Sequence, residues 1–201
     1  MPPPLKTLDA VALPLARANV DTDQIVPARY LQKPRSDNFG AYLFHDLRRP
    51  PGGTQVSDFI LDQAPYRDAR IVVAERNFGC GSSREHAVWA LVDHGFRVVV
   101  APSFGDIFAG NASKNGLLTV VLGEAAVAGL LAALQRAPGA HLQVDLPSQT
   151  VVAPGGEVHA FAIDPFAKHC LLEGLDELDY TLTQLPAIEA FEARQAGAHH
   201  P

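Results

Sequence analysis

Three short apolar runs, spaced by helical lengths of chain, constrain the fold of this polypeptide more than any other feature. They are Ile71-Val72-Val73-Ala74, Val98-Val99-Val100 and Leu117–Leu122. A run without polar alternation reads as a strand covered on both faces. Between the first two lies a stretch that is apolar almost all round (Ala87, Val88, Trp89, Ala90, Leu91, Val92), ending at His94 before Gly95. That pattern predicts a helix buried on more than one side and stopped by the glycine. Residues 103–114, between the second and third runs, read as a helix or turn. Strand–helix–strand–helix–strand predicts an α/β domain with a partly parallel sheet.

The flanks are less regular. Val127, Leu130, Leu131 and Leu134 mark one face of an amphipathic helix over 124–136. Leu142, Val144 and Leu146 alternate with polar residues, and Pro154-Gly155-Gly156 turns the chain into a strand with Phe161 and Ile163. This predicts a half-exposed two-strand excursion that makes the sheet mixed. Asp164-Pro165 opens another helix as N-cap and first residue, and a short helix from Pro186 closes the chain. Residues 1–60 read as irregular, with strand candidates at Val11–Leu15 and Phe59–Leu61, and Pro50-Pro51-Gly52-Gly53 is a loop by composition. At 201 residues the chain reads as one domain, residues 1–201, with a mobile loop at about 24–58.

Several function classes drop out. Lys and Arg total 16 against 22 Asp and Glu, a formal charge of −6, which argues against a nucleic-acid groove. No apolar run approaches the roughly 20 residues that span a bilayer. The N-terminal Met-Pro-Pro-Pro-Leu-Lys lacks the blocks of a signal peptide, so a cytoplasmic protein is expected. Cys80 and Cys170 are far apart, and the eight histidines are scattered. Neither pattern suits a disulfide framework, a zinc site or an iron–sulfur cluster. Any metal chemistry must draw its metal from elsewhere.

The segment Gly79-Cys80-Gly81-Ser82-Ser83-Arg84-Glu85 joins a buried strand to a buried helix. In open α/β sheets ligands sit beyond the strand C-termini, where helices begin. Glycines allow close backbone approach, helix-terminal N–H groups favour an anion, and Arg84 can hold a carboxylate bidentately. The competing reading is structural: Ser82-x-x-Glu85 has capping-box spacing. The segment is neither a dinucleotide fingerprint, a P-loop nor a serine-hydrolase elbow. Cys80 at a helix start could be a nucleophile, but His86 is not placed to activate it. Upstream, Asp21 and Asp23 flank Thr22 in a pattern typical of turns and caps. Lys33, Arg35, Arg48 and Arg49 make a basic loop in an acidic protein, which suits an acidic substrate or simply solvated charge.

Four segments carry a resemblance: Asn-Val-Asp-Thr-Asp-Gln-Ile at 19–25, Asn-Phe-Gly-Cys-Gly-Ser-Ser-Arg-Glu-His-Ala at 77–87, Ala-Pro-Ser-Phe-Gly-Asp-Ile-Phe at 101–108, and Asp-Pro-Phe-Ala-Lys-His-Cys-Leu-Leu-Glu-Gly-Leu-Asp at 164–176. Over roughly residues 8–195 the chain resembles the 3-isopropylmalate dehydratase small subunits, the leucine-biosynthesis branch of the aconitase superfamily. The resemblance implies a swivelling β/β/α domain with a mixed sheet flanked by helices. It implies a large-subunit partner carrying a [4Fe–4S] cluster, and a small dicarboxylate hydroxy-acid substrate. The reaction implied is the isomerisation of 2-isopropylmalate to 3-isopropylmalate through 2-isopropylmaleate, with the cluster iron as Lewis acid.

Residue by residue, Ser82 matches the family's catalytic base, an alkoxide that takes a carbon-bound proton. Ser83 and Arg84 match substrate-carboxylate and oxyanion ligands, and Asp23 matches a carboxylate that orients its neighbours. A Ser82 that caps the helix cannot also be the base, so Ser83 or the backbone is expected to cap while the Ser82 hydroxyl faces an open cleft. Arg35, with Lys33 beside it, is the candidate for the distal carboxylate, although the family's loop arginine stands one place later. Leu47 also replaces an expected tryptophan. Two alternatives stay open: a related hydro-lyase acting on homoaconitate or citraconate/methylmalate, and a non-catalytic regulatory subunit that uses the anion pocket alone.

Overall fold

The structure, a computed structural model, describes residues 3–35, 38–49 and 58–198. Its centre is a seven-stranded mixed sheet of order β4-β3-β2-β1-β5-β6-β7. The strands are β1 (Thr7–Leu15), β2 (Ile71–Ala74), β3 (Val98–Ala101), β4 (Leu118–Val121), β5 (His141–Asp145), β6 (Thr150–Val152) and β7 (Val158–Ala160). Strands β1 to β4 run parallel, with Leu13 opposite Val72, Val72 opposite Val99 and Val99 opposite Thr119. Strands β5 to β7 add on antiparallel, and β5 pairs with the first half of β1.

The unbroken apolar runs have a simple cause: both faces of the parallel half are covered. Val72, Ala74, Val99 and Ala101 face one core with Ala87, Val88, Ala90 and Leu91. Ile71, Val73, Val98 and Val100 face the other with Val127, Leu130, Leu131 and Leu134. The strand period of two sends successive residues to opposite cores. The helices concerned are α3 (Glu85–His94), α4 (Asp106–Lys114) and α5 (Glu124–Arg136). Gly95 ends α3 at φ +116°, and its N–H bonds back to Leu91 and Val92.

Several expectations are corrected. β1 begins at Thr7, four residues before the predicted start. Its first half is flanked by β5 and only partly covered, so it lacks an apolar run. Phe59–Leu61 is not a strand, because Ile60–Asp62 forms a tight 3-10 turn whose Leu61 is buried. The C-terminal excursion has three strands. Thr150-Val151-Val152 is too short to show a period, and Phe161 and Ile163 follow β7 rather than lie in it. Helix α6 (Pro165–Glu173) starts as predicted, with the Asp164 carboxylate accepting from Ala167 N at 3.0 Å. The end of the chain, however, holds α7 (Glu177–Thr183) and a 14-residue α8 (Leu185–Ala198), not one short helix from Pro186. A reciprocal Asp176–Asp179 capping box starts α7.

Within the segment predicted as a mobile loop, 24–35 and 38–49 hold short turns and helices, including the end of α1 (Thr22–Ile25) and α2 (His45–Arg48). Phe39, Leu43 and Phe44 there are fully buried. Ser36, Asp37, the Pro50-Pro51-Gly52-Gly53 run with residues 54–57, and the tail His199 and His200 lie outside the described residues. No helix among the described residues is long and apolar enough to cross a membrane.

Candidate active site

The loop between β2 and α3 is gripped from two sides. On one side Phe78 N donates to Ser103 O at 3.1 Å, Gly105 N to Phe78 O at 2.9 Å, and Asn77 N to Ser103 Oγ at 2.9 Å. The approach is too close for side chains. A Cβ on Gly79 would lie 2.2 Å from Phe108 Cγ, and one on Gly105 would lie 2.5 Å from Gly79 O. Gly79 also has φ +72°, which glycine alone adopts without cost. On the other side Gly79 N donates to Val20 O at 2.7 Å and Asn77 Nδ2 to Asn19 Oδ1 at 2.8 Å. Thr22 is buried and takes up two carbonyls: its N–H reaches Cys80 O at 2.9 Å and its hydroxyl reaches Ser82 O at 3.0 Å. Three segments far apart in sequence thus meet at one loop.

The capping-box reading fails. Helix α3 starts at Glu85, Arg84 occupies the N-cap in extended conformation, and no side chain caps the helix. Of the two groups expected to cap, Ser83 or the backbone, Ser83 does not: with the Ser82 carbonyl bonded to Thr22, the chain enters the helix two residues too late for Ser82-x-x-Glu85 to close. Ser82 and Ser83 are exposed, and among the described residues neither hydroxyl has a hydrogen-bond partner.

Arg84 is mostly covered, with 14% of its side chain exposed, and donates to the Asp23 carboxylate, which is 56% exposed. That hydrogen bond, reinforced by the guanidinium charge, holds the Asp23 carboxyl below the usual carboxylate range. Asp23 also accepts from Ala28 N at 3.2 Å. Asp21 serves α1 instead, capping it by accepting from Gln24 N at 2.7 Å. Arg84, paired with Asp23, thus directly follows the exposed Ser82 and Ser83 in the loop.

The basic loop is placed otherwise. Arg35 donates to Asp93 at 3.0 Å and to Asn115 at 3.2 Å, and lies over the Trp89 ring at 5.3 Å. Asn115 in turn donates to Glu85 at 2.8 Å. Arg35 is thus tied to the flank of α3 and makes no hydrogen bond or ion pair with Ser82 or Arg84. Lys33 is exposed, and its side chain has no partner among the described residues. Arg48 is bonded to Asp62 at 2.6 Å.

A thiolate at Cys80 is disfavoured: burial first, and then the Asp21 charge, push the thiol up. His86 packs at a tilt against Trp89, with ring centroids 4.5 Å apart, and against Phe39 at 5.5 Å. Among the described residues no three His, Cys, Asp or Glu side chains converge on a metal position. Sequence reasoning passed over Thr22, because a threonine between two aspartates signals a turn and its burial depends on a loop some sixty residues away.

Comparison with known proteins follows the same residues. A family model described as the aconitase C-terminal domain matches residues 3–125, and one described as LeuD_N matches 128–165. The chain is 48% identical over 192 residues to the 3-isopropylmalate dehydratase small subunit of Jannaschia sp. (strain CCS1), covering 96% of each. It is 50% identical over 188 residues to that of Rhodospirillum centenum, covering 94% of this chain and 93% of the relative. The crystal structure of a 3-isopropylmalate dehydratase from Methanocaldococcus jannaschii superposes with a TM-score of 0.63 at 23% identity, over 92% of this chain and 99% of that one. That likeness shows the fold.

Proposed function

This chain belongs to the aconitase C-terminal domain family, among the 3-isopropylmalate dehydratase small subunits, and from that premise we propose that it carries the proton-transferring half of a two-subunit hydro-lyase. The reaction is the isomerisation of 2-isopropylmalate and 3-isopropylmalate through 2-isopropylmaleate. The observation that supports the assignment of residues is the exposed, unbonded Ser82 hydroxyl beside a covered Arg84 that Asp23 orients.

In this reading Ser82 Oγ, as an alkoxide, takes a proton from the carbon beside the one that bears the hydroxyl. The C–H electron pair becomes the double bond, and the hydroxyl departs with the C–O electron pair as hydroxide. The proton that makes it water would come from an acid of the large subunit and would return there on hydration. For hydration the hydroxyl returns to the carbon that lost the proton, and Ser82 gives its proton to the other carbon. A serine hydroxyl is a very weak acid in water, so the alkoxide needs positive charge fixed nearby. Arg84 supplies it, and with Ser83 it binds a substrate carboxylate. Arg35 and Lys33 are proposed for the distal carboxylate.

The cluster is proposed for the large subunit. The donors of this chain do not fit one: Cys80 and Cys170 are its two cysteines, and the described residues form no metal-ligating group. The single domain is proposed to dock there with Ser82 facing the partner.

The test is reconstitution with a cluster-bearing large subunit, following the absorbance of the unsaturated intermediate with 2-isopropylmalate, homocitrate and citramalate. Ser82→Ala is expected to lower kcat by about 10²- to 10⁴-fold without changing subunit assembly by gel filtration. Undiminished turnover in that variant would overturn the role given to Ser82.

A further inference from the structure

Thr22 is one of two buried polar residues among those described, with 2% of its surface exposed. It holds the carbonyls of Cys80 and Ser82 at 2.9 and 3.0 Å, one through its backbone N–H and the other through its hydroxyl. Every peptide bond among the described residues is trans. In a trans peptide the C=O and N–H point in opposite directions. With carbonyls 80 and 82 turned to Thr22, the N–H groups of Gly81 and Ser83 must face the other way. Neither N–H has a hydrogen-bond partner among the described residues. These two unpaired donors bracket Ser82 in sequence and lie on the side away from α1.

We infer that Thr22 is a positioning residue for the reaction, turning the Gly81 and Ser83 amides into a two-donor receptor for the negative charge that gathers at Ser82. The inference rests on the role proposed for Ser82. Neither amide bonds Ser82 Oγ in this structure. Rotation of the exposed Ser82 side chain would bring its oxygen to them, while the amides themselves, fixed through Thr22, need no reorientation. The Thr22 hydroxyl fixes the Ser82–Ser83 peptide. Without it that peptide is free to rotate, and the Ser83 donor is lost to solvent. Nothing in the arrangement requires Thr22 to touch the substrate.

Reconstituted dehydratase separates the possibilities. Thr22→Val keeps the shape and removes the hydroxyl. It is expected to lower kcat about tenfold or more, less than the 10²–10³ typical for outright deletion of a donor, with KM within about threefold and unchanged subunit assembly. Thr22→Ser is expected to restore kcat to within about threefold of wild type, a rescue that a purely packing role would not give. Full kcat in Thr22→Val, or a loss that Thr22→Ser does not restore, overturns the inference. Ser82→Ala run alongside tells the two readings apart: full activity there removes the role of Ser82 itself, whereas an inactive Ser82→Ala with a fully active Thr22→Val removes only that of Thr22. Should Thr22→Val fail to fold, amide exchange in the wild-type chain decides. The Gly81 and Ser83 amides are expected to exchange near the unstructured rate while the Thr22 amide is protected, and a protected Ser83 amide overturns the inference.

Discussion

The Arg84 guanidinium donates to the Asp23 carboxylate across 61 positions of sequence, joining the start of α3 to α1. The arginine is covered and its partner open, so in the proposed reading Asp23 aims the cation and leaves its remaining donors to a substrate carboxylate. Removing the aim should weaken substrate binding more than turnover. Asp23→Ala is expected to raise KM about five- to tenfold, in line with about 1 kcal/mol for a partly exposed charged hydrogen bond. Asp23→Asn, which keeps an acceptor, should raise it less. Steady-state kinetics of the reconstituted enzyme measure both. The Asp23 carboxyl is held down by this bond, so its contribution is present above about pH 4 and is lost as the pH falls through the folded-state value. The pair therefore stays charged across neutral pH.

Gly79 should tolerate no side chain. Its φ of +72° strains an alanine, and the added Cβ would meet Phe108 Cγ at 2.2 Å. Gly79→Ala is expected to cost about 3 kcal/mol, from left-handed strain together with overpacking. Gly129 is the control: it lies exposed in α5, a Cβ there meets nothing within 4 Å, and its φ is not positive. Gly129→Ala should stabilise by about 1 kcal/mol. Denaturant midpoints of the two variants should move in opposite directions.

The parallel half of the sheet was legible because burial on both faces leaves an unbroken apolar run, as in Ile71–Ala74 and Val98–Ala101. β6 was not, since three residues cannot display a period, and α7 was hidden because its capping box uses aspartate at both positions. At the site, the loop glycines and Arg84 were legible as local chemistry. The capping reading of Ser82 and Glu85 followed from spacing alone, and the structure corrected it because Thr22 holds the Ser82 carbonyl and delays the helix. Such a bond between distant segments leaves no periodic mark on either of them.

Stability should depend on pH through His94. Burial, and then the Arg48 charge, pull its imidazole below the ordinary value of 6.5, while the ring stacks on Phe96 at 5.5 Å. The folded chain thus keeps His94 neutral where the unfolded chain takes up a proton. The resulting stabilisation is full above about pH 6.5 and is lost as the pH falls toward the folded-state value. Urea midpoints of the wild type should drop between pH 7.5 and pH 5.5. His94→Gln should show a smaller drop, and equal drops in both proteins would remove His94 as the cause.

Arg35 poses the sharpest question about substrate reach, because its guanidinium already has partners. It is bonded to Asp93 and Asn115 and lies over Trp89. To serve a distal carboxylate it must leave them. Exposed pairs of this kind are worth about 0–1 kcal/mol, so the exchange is within reach of one substrate carboxylate. Weakening the resident pair should then favour the substrate. Asp93→Asn is expected to lower KM for 2-isopropylmalate about two- to threefold, while Arg35→Ala raises it about tenfold, as loss of a charged hydrogen bond would. Lys33→Ala, at an exposed position without a partner among the described residues, should raise KM if that ammonium shares the load. If Arg35→Ala shifts the melting temperature and leaves KM untouched, Arg35 only fastens its loop to α3, and the distal carboxylate is held by another cation.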